Sequence, residues 1–151
     1  MSVRFLLLFM IILPISLATG AEKDLSVHDG WIGEAPPTAS VLAGYMVIEN
    51  DGAEPHRLIA AASPAFKAIE LHRSVLKNGI ASMIPQSSVM IPPAGGQVAF
   101  EPESYHLMMM EPVHPLRAGS EATVFLTFDG GEHIKTTLLV RKAASSDHHH
   151  H

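Results

Sequence analysis

Turn chemistry is the feature that most constrains this chain. Asn50-Asp51-Gly52, Lys77-Asn78-Gly79, Pro92-Pro93-Ala94-Gly95-Gly96, Glu101-Pro102-Glu103 and Asp129-Gly130-Gly131 all hold residues that tolerate positive φ or preset a bend. Between and around them run segments with period-two or β-branched and aromatic character. These are Leu25 to Ile32, Val41 to Glu49, Phe66 to Leu71, Gln97 to Phe100, Tyr105 to Met110, Ala122 to Phe128 and His133 to Val140. Seven or more short strands at this spacing predict an all-β fold, a Greek-key β-sandwich or barrel. No internal repeat is visible.

The first twenty residues carry a different signal. A charged start at Arg4 runs into an apolar segment, Phe5 to Ala18, of fourteen residues, and small residues follow at Ala18-Thr19-Gly20. A membrane span needs about 20 apolar residues, so this reads as a cleavable export signal over 1–20 rather than a stable membrane anchor. The mature domain is expected over 21–142, with a disordered tail over 143–151. Localisation in the periplasm follows from that reading.

The chain has no cysteine. In an oxidising compartment that means no disulfide framework, no zinc–thiolate site, no cysteine-held copper centre and no cysteine for a lipid anchor. The formal charge of −5 argues against a nucleic-acid or anionic-lipid partner. Metals and proteins remain as partners, and any soft-metal site must use methionine.

Histidines and methionines fall at spacings that matter. In "ELHRSVLKNGIASM", His72 and Met83 flank the turn at Lys77-Asn78-Gly79. Counted outward from it they lie opposite or one diagonal step apart, on the same face of a hairpin. In "SYHLMMMEPVHPL", His106 and Met108 are two apart on one strand and so share a face as well. Met109 points away from them and reads as core, as does Met46. Met110 shares the face of His106 and is an auxiliary ligand or a rim contact. Two preorganised pairs make a site of two nitrogens and two sulfurs. Thioethers are soft, neutral ligands that suit Cu(I), whereas zinc, calcium and magnesium favour thiolate, imidazole or carboxylate.

These residues carry a resemblance. His72, Met83, His106 and Met108, with "NG" in the first turn, "IPPAGG" in the second and "YHLMMM" at the end, resemble the PCuAC family of periplasmic copper chaperones. The segments "VHDGWIGEAPPTASVLAGYMVIENDGAEPHRLIAAASPAF" and "LTFDGGEHIKTTLLVR" are similar to the same family, so nearly all of the mature chain is covered. The resemblance implies a cupredoxin-like barrel, a monomer, holding one Cu(I) on the four residues and passing it to partners by ligand exchange. It also implies service to cytochrome oxidase, at the copper centre of subunit II, alongside Sco-type thiol proteins. Two features depart from the family pattern. The interval between Met83 and His106 is one residue longer, with the extra residue placed in "IPQSSVMIPP", and Arg73-Ser74 stand where the family carries further methionines.

His28, His56, His114 and His133 read as surface or turn residues, and Trp31 as a core or edge-covering aromatic. The tail residues His148, His149, His150 and His151, with Asp147, form a compositional metal-binding run suited to Cu(II). No G-x-S-x-G or H-E-x-x-H motif is present, so nothing marks the chain as an enzyme. Two alternatives stand beside the carrier: a periplasmic copper storage or resistance protein, and a metal-free β-sandwich interaction domain.

Overall fold

The computed structural model describes residues 24–142. The segment 1–20, expected to be an export signal, and the tail with His148 to His151 lie outside them. Ten strands follow in order: β1 (Leu25–Gly33), β2 (Val41–Asn50), β3 (His56–Ala62), β4 (Phe66–Lys77), β5 (Ile80–Pro85), β6 (Val89–Ile91), β7 (Gly96–Phe100), β8 (Tyr105–Pro112), β9 (Glu121–Phe128) and β10 (His133–Arg141). There is no helix among the described residues.

Seven of the ten occupy the runs expected from alternation, although β4 continues past Leu71 to the turn at Asn78-Gly79. β5 is the second strand of the hairpin expected around that turn, and β3 and β6 were not expected. In β3 only Leu58 and Ala61 are buried, because the β3–β9 register shifts between Leu58 and Ala60. That bulge breaks the period-two pattern, and three consecutive alanines weaken the β signal further. β6 is three residues long and has no period to read.

Eight strands close into a barrel in the order β4-β8-β7-β2-β1-β10-β9-β3, completed by pairing of β3 with β4. Connections between strands that are not neighbours in sequence produce this order, as in Greek-key folds. It is the all-β, cupredoxin-like barrel expected from the sequence. β5 and β6 are attached outside the ring, β5 on β4 and β6 on β3. The interior is filled by alternate residues of each strand. Ile48, Leu58, Leu107, Met109, Val124, Leu126, Phe128 and Leu138 are all fully buried, and their removal from water is the main driving force for closure. Met46 is core as well.

Asn50 is buried without an apolar side chain. Its Nδ2 donates to the carbonyls of Glu54 and Ile91, and its Oδ1 accepts from the Gly52 amide, so the end of β2 is tied to β6. Trp31 is half-buried and lies across from Tyr45, the ring centroids 4.4 Å apart.

Candidate metal centre

β8 has two faces with separate tasks. Leu107 and Met109 are completely buried in the core, and the alternate residues His106, Met108 and Met110 lie on the outside of the wall. The antiparallel β4–β8 register places His72 directly opposite His106, Glu70 opposite Met108 and Ala68 opposite Met110. On the other side of β8, Ala43 pairs with Met108 and Val41 with Met110. The two imidazoles are therefore neighbours across one strand pair, with ring centroids 5.9 Å apart and planes tilted by 42°.

Both rings are buried although they lie outside the barrel, His72 at 6% exposure and His106 at 5%. Each is held by one nitrogen. His72 Nε2 lies 2.8 Å from Oε2 of Glu70, a carboxylate that can only accept, so this nitrogen carries the proton. His106 Nδ1 donates to the Ser104 carbonyl at 3.3 Å. The remaining nitrogens, His72 Nδ1 and His106 Nε2, are buried and have no hydrogen-bond partner. Leaving a buried polar atom unpaired costs about 1–3 kcal/mol. Two such atoms on adjacent rings call for a ligand.

Met83 reaches the same region from β5. Asn78 and Gly79, with φ of 52° and 75°, form the two-residue turn between β4 and β5. The resulting register sets Met83 opposite Ser74 and His72 opposite Pro85. Met83 is thus one diagonal step from His72 and on its face. It borders a pocket of about 350 Å³ together with His106, Met108, Tyr45, Ser74 and Glu103. Burial pushes the Tyr45 hydroxyl above its ordinary pKa, so this group stays neutral beside the pocket. Met83 itself is 62% exposed, on a strand whose outer edge is unpaired.

The structure brings His72, Met83, His106 and Met108 to one side of the β5-β4-β8 sheet. Met110 lies two residues farther along β8, about 7 Å from Met108 along the strand, half-buried between Ala68 and Val41. His28 on β1 and His133 on β10 are exposed on strands away from β4, β5 and β8, and His114 is exposed in the segment after β8. Glu70, the Ser104 carbonyl and Tyr45 were not among the residues expected from the sequence. Only Glu70 had a readable signal, since position i−2 from His72 shares its face. Among the described residues, no group of three or more His, Asp or Glu side chains converges.

Residues 25–140 match the family described as "Putative lipoprotein LpqE-like". The chain belongs to the LpqE-like family. This is the PCuAC-type family. A Leifsonia xyli relative, "Putative lipoprotein Lxx21020", is 31% identical over 121 residues, 79% of this chain and 72% of its own length. Among solved structures, a copper-bound PCuAC domain from PmoF2 superposes with a TM-score of 0.68 at 18% identity, covering 82% of this chain and 97% of that domain. The solution structure of CuI-DR1885 from Deinococcus radiodurans gives a TM-score of 0.56 at 21% identity, covering 80% of this chain and 78% of that one. At these identities the LpqE-like chain and the solved domains are shown to share a fold.

Proposed function

We propose that this LpqE-like protein is an extracytoplasmic copper chaperone that carries one Cu(I) on His72, Met83, His106 and Met108. The observation that carries the reading is the pair of buried, unpartnered imidazole nitrogens on two neighbouring rings, carried by residues directly opposite each other on β4 and β8. Their free lone pairs suit a metal that binds neutral nitrogen, and the flanking thioethers select a soft one. Copper-bound and CuI structures among proteins of the same fold support this choice, and PCuAC domains are chaperone-type binding domains rather than enzymes. The relatives' lipoprotein names and the apolar segment from Phe5 to Ala18 support export.

The proposed cycle is ligand exchange without redox change. The buried imidazoles hold Cu(I) against the wall, and Met83 and Met108 complete the set. A partner's thiolate or imidazole enters from the pocket side, and the weak neutral thioethers leave before the nitrogens. Acceptors of this kind include cytochrome oxidase subunit II and Sco-type thiol proteins, and the family resemblance favours copper-centre assembly. Met110 stands as an auxiliary sulfur, and His148 to His151 as a separate Cu(II)-binding run.

Competition with a chromophoric Cu(I) chelator tests the reading. The protein with His148 to His151 changed to serine should bind one equivalent tightly, and the further change Met83→Leu with Met108→Leu should abolish that binding. If no Cu(I) is taken up, or uptake is indifferent to the methionines, the reading fails in favour of a metal-free interaction domain.

A further inference from the structure

Each imidazole of the pair is anchored by a different device. His106 is held by the main-chain carbonyl of Ser104, which no substitution of a side chain removes. His72 is held by a side chain, the Glu70 carboxylate, at 2.8 Å. We infer that Glu70 is a positioning residue: it fixes the proton of His72 on Nε2, so that Nδ1 is the nitrogen offered to the metal. The inference rests on the copper reading above and assigns the residue that sets one ligand's geometry.

Glu70 precedes His72 by two residues on β4, so both side chains rise from the same face. The carboxylate is about half exposed, whereas the ring it touches is buried. Among the described residues it makes no ion pair with lysine or arginine, and its one charged-group contact is His72. A half-exposed carboxylate with no cation to satisfy is free to be committed to the imidazole. Hydrogen bonds of this kind fix the tautomer and ring orientation of metal-bound histidines and raise their basicity. Glu70 is not itself placed to ligate. Its near oxygen contacts the nitrogen on the far side of the ring from Nδ1, and a hard carboxylate is a poor match for a Cu(I) site.

The arrangement makes the two nitrogens unequal. His106 presents Nε2 at the end of its ring, and His72 presents Nδ1, closer to its own backbone.

The test compares the full-length protein with Glu70→Gln and Glu70→Ala. Long-range proton–nitrogen ring correlations of the apo protein report the His72 tautomer, and chelator competition reports Cu(I) affinity. The Nε2–H form alone is expected with Glu70 present. Glu70→Gln keeps the size of the side chain but can donate as well as accept, so both variants should give mixed tautomers. Cu(I) affinity should fall about 10- to 100-fold at unchanged stoichiometry. A single Nε2–H form and full affinity in both variants would overturn the role of Glu70 and leave the copper reading standing. A tautomer that responds to Glu70 in a protein that takes up no Cu(I) would do the opposite.

Discussion

The two halves of the site are built from different parts of the fold. His72 and His106 face each other across the β4–β8 pair, in the wall of a closed barrel, and are almost completely buried. Met83 stands on β5, a strand outside the ring in which all six residues are exposed. Closure gives the wall strands partners on both edges, and the core fixes their inner face. β5 has one partner and no core beneath it. On the proposed copper reading the contrast divides the work of a carrier: rigid, desolvated nitrogens would hold the metal, and an adaptable sulfur on an open edge would be the place where a competing ligand enters. Local stability of this kind follows buried contacts and pairing rather than chain position.

The strongest way to break the comparison is to undermine the wall from inside. Met109 is fully buried on the inner face of β8, its sulfur against Gly44, where an added Cβ would come within 2.8 Å. Met109→Ala should cost about 2–5 kcal/mol of stability while leaving all four proposed ligands in place. Calorimetry should show a clearly lowered melting temperature. An unchanged one would mean that the inner face of β8 does not support the wall. Next comes the wall's outer face. His106→Leu removes a buried unpartnered nitrogen, so the apo protein should melt no lower than the parent, or higher. Cu(I) affinity should drop by about 100-fold or more, roughly 2.7 kcal/mol. A loss of stability as large as that of Met109→Ala would make His106 a packing residue instead.

Much of the wall was legible in the sequence, because alternation places His106, Met108 and Met110 on one face of β8 and Leu107 and Met109 on the other. The turn at Asn78-Gly79 likewise announced the hairpin that brings Met83 and His72 to a common face. The direct opposition of His72 and His106 was not legible. It depends on the register of two strands that are distant in sequence, which is fixed by barrel closure rather than by local pattern. β3 escaped for a local reason, its bulge and its alanines. The role of Glu70 escaped because a glutamate on an exposed strand position reads as ordinary surface until the ring it touches is known to be buried.

A smaller effect is expected on the β5 side. Met83→Leu keeps the bulk of an exposed side chain, so stability should stay within about 0.5 kcal/mol of the parent. Cu(I) affinity should weaken about tenfold, near 1.4 kcal/mol, less than for His106→Leu because both nitrogens remain. Chelator competition on the two variants side by side decides the ranking. Equal losses would mean that the exposed sulfur holds the metal as firmly as a buried nitrogen, and the division of labour would collapse.

The smallest effect should come from the turn that carries Met83. Gly79 has φ of +75° and no atom lies within 4 Å of where its Cβ would stand, so Gly79→Ala meets no clash and is opposed by backbone strain alone. Placing an L-residue in the left-handed region costs about 1 kcal/mol. Because β5 lies outside the ring, that cost should be met by local opening of the hairpin rather than by the barrel. Amide exchange over Ile80 to Ile84 should quicken roughly fivefold, with the melting temperature scarcely moved and Cu(I) affinity lowered about two- to threefold at most, by the fraction of time Met83 is out of register. Faster exchange spread into β8 as well would show that wall and edge open together, and that Met83 is held as rigidly as the imidazoles it faces.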